Sequence, residues 1–106
     1  MSAFDRYYKK EIMISRKLNI EEEMYIKLED LSKNVYDASI NKLVNSAIEE
    51  LLKTEKIQLY NIKGKNYVFR SFLIRQSFLE GLYELKYKYK ISINLLVNIA
   101  IKNIIK

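Results

Sequence analysis

The side chains in this 106-residue chain that could do chemistry are those of lysine, arginine, tyrosine and serine. Histidine and cysteine are both absent, so the commonest general base and metal ligand and every thiolate are missing. There is no glycine-rich phosphate loop, and the chain is short for a deep pocket. We therefore expect no enzyme, no cofactor, no metal and no small-molecule substrate. A tyrosine nucleophile acting with Arg70 and Arg75 is the catalytic arrangement that composition alone leaves open.

Positive charge is concentrated in the second half of the chain. Residues 1–55 carry nine Lys/Arg against eleven Asp/Glu, a net charge of −2, whereas residues 56–106 carry ten against two, a net charge of +8. A basic half of this size is typical of a protein that binds a polyanion. A basic protein without such a partner is the alternative.

Lysine and tyrosine alternate in residues 85–90, Leu-Lys-Tyr-Lys-Tyr-Lys. Two interpretations stay open. Lys88 and Lys90 could contact phosphate and sugar, or they could simply balance the dipole at a helix C-terminus. The only dense acidic cluster, Glu21–Glu23, suits the start of a helix, and we interpret it as dipole compensation and not as a metal site.

One stretch of sequence occurs twice and organises the chain. Residues 39–53 (SINKLVNSAIEELLK) and 92–106 (SINLLVNIAIKNIIK) are identical at nine of fifteen positions without a gap. Each copy follows an apolar helical stripe, and each stripe follows a strand-like segment. Two copies suit a pseudo-dimer, in which one chain supplies both halves of a two-fold unit.

The predicted strands are short and alternate in polarity. In residues 12–18, Ile14 and Leu18 lie on one face and Met13, Ser15 and Lys17 on the other. Arg16 falls on the apolar face and needs a partner. For the second strand, residues 66–75, the outward set is either Tyr67, Phe69, Ser71 and Leu73 or Val68, Arg70, Phe72 and Ile74. Periodicity alone does not decide between them.

Four helices are predicted from caps and apolar spacing. Asn19 is predicted to cap a helix over residues 20–34, and Ser39 a helix over residues 40–53. A capping box formed by Ser77 and Glu80 starts a third helix, which ends near Lys90. Ser92 caps a fourth helix over residues 93–105. Residues 1–11 are predicted to form an arm, residues 35–38 a turn and residues 54–65 a connector. Residues 57–60 could instead pair with residues 67–72 as a hairpin.

Strand, helix, turn, helix in about 40 residues resembles the ribbon-helix-helix family of DNA-binding proteins, over residues 12–53 and 66–106. The resemblance implies a mainly α fold with a short two-stranded antiparallel ribbon, built as a tandem pseudo-dimer in a single domain. A winged-helix α+β fold, with the possible hairpin as its wing, is the alternative. Two features depart from the family. The usual glycine between the helices is absent, and the second strand lacks a clean polar face.

The resemblance also implies which residues contact DNA. In the family the ribbon enters the major groove, where outward strand side chains touch bases, and the N-termini of the second helices hold phosphates. The expected base contacts are Ser15, Lys17, Phe69, Ser71, Arg70 and Arg75. The expected phosphate contacts are Ser39, Asn41, Lys42, Ser92, Asn94, Lys88 and Lys90.

The function expected from these features is sequence-specific binding of double-stranded DNA, by a transcriptional repressor or by an accessory factor of plasmid transfer or partition. We expect a folded monomer in the cytoplasm, without membrane association, that can self-associate on adjacent DNA sites. The alternatives are a winged-helix DNA binder and a non-enzymatic adaptor that binds a protein through a helical face.

Overall fold

The structure is a computed structural model, and it describes residues 12–34, 39–60 and 63–105. These residues form a mixed, mostly helical α and β protein in which the order strand, helix, helix occurs twice. The elements are β1 (Met13–Glu21), α1 (Glu22–Asn34), α2 (Ile40–Thr54), β2 (Tyr67–Arg75), α3 (Gln76–Tyr89) and α4 (Ile93–Ile104). The predicted arm at residues 1–11 and turn at residues 35–38 lie outside the described residues.

The two strands pair with each other as an antiparallel ribbon. Met13 lies opposite Arg75 at one end, and Lys17 lies opposite Ser71 at the centre. The alternative hairpin was wrong, because β2 pairs with β1 while residues 55–60, all within the described part, contain no strand. A winged-helix arrangement that relied on that hairpin as its wing is therefore not formed.

One hydrophobic core lies beneath the ribbon and includes residues from all six elements. The strands contribute the even-numbered side chains Leu18, Ile20, Phe72 and Ile74, which are almost fully buried. Helices α2 and α4 pack against each other at its centre, as the width of their apolar faces predicted. In α4 the buried side chains run nearly all round the helix: Ile93, Leu96, Val97, Ile99, Ala100 and Ile101.

Asparagine side chains from α4 cover part of the outer edge of β1. An isolated two-stranded ribbon exposes unpaired N–H and C=O groups along both edges. Asn94 Oδ1 accepts a hydrogen bond from the Asn19 N–H at 3.1 Å. Asn98 Oδ1 accepts one from the Glu21 N–H at 2.8 Å, and Asn98 Nδ2 donates to the Asn19 carbonyl at 2.8 Å. These contacts hold the C-terminal half of β1.

The same arrangement, from α2, covers the edge of β2. Asn41 Oδ1 accepts from the Leu73 N–H at 3.2 Å. Asn45 Oδ1 accepts from the Arg75 N–H at 3.0 Å, and Asn45 Nδ2 donates to the Leu73 carbonyl at 2.7 Å. The contacts cross between the repeats, since the second helix of each repeat holds the strand of the other.

Two predicted helix starts were wrong. Asn19 does not cap α1, because β1 continues through Glu21, where the edge contacts from α4 keep the backbone extended. The Ser77/Glu80 capping box is not formed either. Helix α3 already begins at Gln76, and Glu80 accepts a hydrogen bond from the Gln76 side chain at 3.3 Å.

The serine caps of the second helices are confirmed. Ser39 Oγ accepts from the Lys42 N–H at 3.2 Å, and Ser92 Oγ accepts from the Leu95 N–H at 3.1 Å. Both serines have extended backbone and start α2 and α4. A helix that begins at a fixed serine has a defined first turn, which matters for any ligand bound there.

Candidate nucleic-acid interface

The face of the ribbon that points away from the core is exposed from Met13 to Asn19 of β1 and along all of β2, and Glu21, at the end of β1, is buried. Odd-numbered residues form it, because side chains alternate along a strand and the even-numbered ones enter the core. Its exposed members are Met13, Ser15, Lys17, Asn19, Tyr67, Phe69, Ser71, Leu73 and Arg75. We call these nine side chains the outward face.

The parity of the second strand, which the sequence left open, is thereby settled. Phe72 and Ile74 are 3% and 0% exposed, so the set beginning at Val68 points inward. Arg70 belongs to that inward parity, yet its side chain is exposed. Its guanidinium lies 5.4 Å from the centroid of the Tyr25 ring, and Nη1 donates to the Phe69 carbonyl at 3.1 Å. Arg70 therefore lies beside the ribbon and not on the outward face.

Lys17 occupies the centre of the outward face. It pairs with Ser71 across the ribbon, midway between the ends of both strands. Its ammonium lies 5.9 Å from the centroid of the Phe69 ring, a weak cation–π contact at an exposed site. Such a contact leaves a flexible lysine able to reach a ligand above the ribbon.

Ser15 and Arg75 share the outward face with Lys17. Ser15 lies opposite Leu73, one position along the face from the central pair. Arg75 lies at the end of the ribbon, where its guanidinium is 5.4 Å from the centroid of the Phe78 ring. Five of the six predicted base contacts, all except Arg70, thus lie on one continuous surface.

Arg16, on the inner side of the ribbon, has the partner that its position required. Its Nη1 donates to the Tyr83 hydroxyl at 2.6 Å, and its guanidinium lies 5.5 Å from the centroid of the same ring. The contact joins β1 to α3 beneath the outward face. A buried cationic head without such a partner would be costly.

The N-termini of α2 and α4 lie beside the ribbon, because Asn41 and Asn94 in their first turns bond to the strands. The first N–H groups of a helix have no acceptor within it and carry the positive end of the dipole. Ser39, Lys42 and Ser92 are exposed there. The side-chain oxygens of Asn41 and Asn94 accept hydrogen bonds from the strands, so their main-chain N–H groups and their side-chain Nδ2 groups are the donors that fit the predicted phosphate role.

The two lysines at the end of α3 differ in their surroundings. Lys88 Nζ lies 2.8 Å from Glu55 Oε1, and the Tyr89 hydroxyl donates to the same oxygen at 2.8 Å. The Glu55 contact raises the pKa of Lys88, and hydrogen bonds from Lys88 and Tyr89 lower the pKa of Glu55. Lys88 is thus paired within the fold, which weakens its assignment to phosphate.

Lys90 ends α3 in the left-handed conformation, with φ of 57°. This is the backbone geometry that glycine adopts most easily, so Lys90 takes the place of the glycine that the resemblance led us to expect between the helices. Its side chain is exposed, and it precedes the α4 cap Ser92 by two residues. Of the two lysines, Lys90 is the better candidate for a phosphate contact.

Two grooves lie where the ends of the ribbon meet the starts of α2 and α4. They occupy equivalent places in the two repeats. One is lined by Asn41, Lys42 and Arg75, among others, and the other by Asn94, Leu95 and Tyr67, among others. Lys42 in one groove is thus matched by Leu95 in the other, and Met13 by Tyr67. The interface is therefore chemically asymmetric although its framework repeats.

Sequence reasoning missed Asn19 as a candidate site residue. The structure places it on the outward face, next to Lys17 along β1. The period-two alternation that selected Ser15 and Lys17 reaches Asn19 at the next step. It was instead interpreted as a helix cap, and so it was left out of the candidate contacts.

Within the described ranges, no group of three or more His, Cys, Asp or Glu side chains could hold a metal ion. None of the helices described combines the length and the apolar character that crossing a bilayer requires. Comparison with known proteins found no match to a family model, to a curated protein or to a solved structure.

Proposed function

We propose that this chain is a sequence-specific double-stranded DNA-binding protein of the ribbon-helix-helix type, with both repeats in one chain. The ribbon enters the major groove, and the N-termini of α2 and α4 hold phosphates on either side. A role as a transcriptional repressor, or as an accessory factor in plasmid transfer or partition, is consistent with this mode of binding. The observation that carries the proposal is the uncovered outward face of the ribbon.

The dimensions of the ribbon suit the groove. Each strand has nine residues, a length of about 30 Å at roughly 3.4 Å per residue. The B-DNA major groove is about 12 Å wide and admits a two-stranded ribbon. Lys17, Ser15 and Ser71 lie at its middle and offer hydrogen bonds to base edges, while Phe69 and Leu73 can contact thymine methyl groups.

The tandem arrangement is supported by matched positions in the two repeats. The strands begin at Met13 and Tyr67 and are both nine residues long, an offset of 54 residues. The four asparagines form equivalent hydrogen bonds in the two halves, and each pair holds the strand of the other repeat. A two-fold axis through the central Lys17–Ser71 pair relates these contacts, as it would between the subunits of a dimer.

The expected energetics follow from this geometry. Helix N-termini, Lys42 and Lys90 provide phosphate contacts on both sides of the ribbon, and the chain carries a net charge of +6. With about six to eight phosphates contacted, the logarithm of the binding constant should fall with the logarithm of salt concentration with a slope of roughly −5 to −7. Ser39→Pro or Ser92→Glu should weaken binding equally on all sequences.

A gel-shift titration at several salt concentrations, on duplexes selected from a random pool, tests the proposal. Lys17→Ala should cost about 1–3 kcal/mol on the selected duplex and relax sequence preference. Lys53→Ala is the matched control, because it removes the same charge from an exposed lysine at the far end of α2, where Lys53 pairs with Glu49. No shift at low salt, or equal losses in the two variants, would contradict the proposal.

A protein-binding adaptor is the second candidate, and one observation favours it. Large apolar side chains of the outward face are substantially exposed: Met13 43%, Tyr67 40%, Phe69 59% and Leu73 45%. They lie in two groups, Met13 with Leu73 and Tyr67 with Phe69, on either side of the central Lys17–Ser71 pair. Exposed apolar patches can mark a protein partner. Partner binding that is insensitive to salt, without any DNA shift, would favour this function over the first.

A further inference from the structure

The outward face differs between the repeats at every pair of equivalent positions. The central pair consists of Lys17 and Ser71. On either side of it, Ser15 of β1 corresponds to Phe69 of β2, and Asn19 corresponds to Leu73. Hydrogen-bonding side chains thus lie in β1 where β2 has apolar ones.

Hydrogen bonds fix the backbone of Asn19 and leave its side chain exposed. Its N–H donates to Asn94 Oδ1 at 3.1 Å and its carbonyl accepts from Asn98 Nδ2 at 2.8 Å. The backbone is thereby fixed at the ribbon edge, while the exposed Asn19 side chain lies on the outward face. The fold therefore uses the main chain of Asn19 and leaves its amide group for a ligand.

The equivalent position in the other half has the same support and a different side chain. The Leu73 N–H donates to Asn41 Oδ1 at 3.2 Å, and its carbonyl accepts from Asn45 Nδ2 at 2.7 Å. Leu73 is 45% exposed on the same face. A leucine there can contact a thymine methyl group, whereas an asparagine can form two hydrogen bonds with adenine N6 and N7.

We propose that Asn19 recognises an adenine in one half of the DNA site only, and that this difference from Leu73 makes the protein bind its site in a single orientation. The inference rests on the proposed DNA-binding function. Lys17 and Ser71 flank the two-fold axis, so Lys17 would contact base pairs next to the centre of the site in either orientation. Asn19 and Leu73 lie off the axis, and so they distinguish the two directions.

The first test is chemical and uses the selected duplex. Asn19→Ala should weaken binding by about 5- to 150-fold, the range expected for losing one bidentate base contact. Replacing single adenines with 7-deazaadenine, which lacks the N7 acceptor, should weaken binding of the original protein at one position and have no effect there on Asn19→Ala. Asn19→Gln should retain the adenine preference, because glutamine can form the same pair.

The second test measures orientation directly. The chain has no cysteine, so a single introduced cysteine can carry an iron chelate that cleaves nearby DNA. Ile12→Cys and Asn66→Cys form a matched pair, since both residues are exposed and lie at equivalent positions at opposite ends of the ribbon. With one orientation, each variant should cut on one side of the site only, and the two should cut on opposite sides.

Cleavage on both sides by both variants would overturn the inference. So would an Asn19→Ala protein with unchanged base preference, provided that its circular dichroism melt matches that of the original protein. Either result would leave DNA binding itself intact. Absence of any gel shift by the unmodified protein would instead contradict the proposed function.

Discussion

Asn98→Leu should destabilise the fold more than any other single asparagine replacement at the ribbon edge. Asn98 is 2% exposed. It accepts from the Glu21 N–H at 2.8 Å and donates to the Asn19 carbonyl at 2.8 Å. Leucine has a similar size and can form neither bond, so two polar groups of β1 lose their partners while the volume is nearly preserved.

The magnitude follows from the exposure of the two orphaned groups. Glu21 is 5% exposed, so its N–H would be left without water, at a cost of about 1–3 kcal/mol. Asn19 is exposed, and its carbonyl can bind water instead, at a net cost of about 0.5–1.5 kcal/mol. The total of about 1.5–4.5 kcal/mol is a large part of the 5–15 kcal/mol typical of a domain.

Asn45→Leu is the matched control for this prediction. Asn45 makes the equivalent contacts, to the Arg75 N–H and the Leu73 carbonyl. Both of those residues are exposed, so water can replace the two lost bonds, and the expected cost is about 1–3 kcal/mol. Any gain from burying leucine is common to both variants and cancels in the comparison.

Urea denaturation followed by circular dichroism, with the slope checked for equality, measures the difference. In a thermal melt, at about 4 °C per kcal/mol for a domain of this size, Asn98→Leu should lower the melting temperature by roughly 6–18 °C. A loss below about 0.5 kcal/mol for Asn98→Leu would refute the assignment of these bonds to the stability of the ribbon. An equal loss in both variants would refute the larger cost expected from burial of the Glu21 N–H.

Three further outcomes are expected. Burial of the Tyr60 phenol raises its pKa, and the nearby Glu21 carboxylate raises it further. The Tyr60 hydroxyl has no hydrogen-bond partner in the described part of the chain. The unfolded phenol ionises first, so stability should fall as pH rises above about 10. Tyr60→Phe should be at least as stable at pH 8 and should lose less by pH 11 in urea titrations. The pKa of Glu55 is lowered by Lys88 and Tyr89, so its contribution is present above the unfolded value and lost as pH falls through the folded one. Glu55→Gln should therefore lose less stability than the original protein on acidification below about pH 4. A Cβ on Gly81 would lie 2.8 and 2.9 Å from the two methyl carbons of Leu52. Gly81→Ala should gain about 0.5–1 kcal/mol of helix propensity in a Leu52→Ala background, and less than that alone, because the methyl groups of Leu52 must move to admit the new Cβ.

The sequence predicted the features of the fold that depend on neighbouring residues. The order of strands and helices, the caps at Ser39 and Ser92 and the central position of α2 and α4 all follow from local spacing, and the structure has them. The extension of β1 through Glu21 could not be predicted in the same way. It depends on Asn94 and Asn98, which are more than 70 residues away along the chain.

The candidate site was predictable only in part, for the same reason. Both faces of β2 carry aromatic and aliphatic side chains, so alternation could not select one. Pairing with β1 and packing of Phe72 and Ile74 into the core select the odd-numbered side chains of β2 as the outward ones. Lys88 was assigned to phosphate without knowledge of Glu55, its ion-pair partner 33 residues earlier. Asn41 and Asn94 are identical in the repeat because they hold strand edges, a role that sequence does not distinguish from ligand binding.

The differences between the repeats follow the two faces of the ribbon. On the inward side, Arg16 and Arg70 are identical, as are Ile20 and Ile74, and the remaining equivalent pairs, Ile14 with Val68 and Leu18 with Phe72, are apolar. On the outward side every equivalent pair differs, and in two pairs, Ser15 with Phe69 and Asn19 with Leu73, a polar side chain of β1 corresponds to an apolar one of β2.

This distribution has a physical reason if the ribbon recognises DNA. The inward side chains and the edge asparagines make the same kinds of contact in both repeats. The same types of residue are therefore required at both sets of positions. The nine side chains of the outward face are not part of the hydrophobic core, so each repeat can satisfy a different half of the site. A dimer of identical chains presents the same side chains twice and suits a palindrome. Two unequal repeats in one chain can match a site whose halves differ, and the connector ensures that the two are always present together.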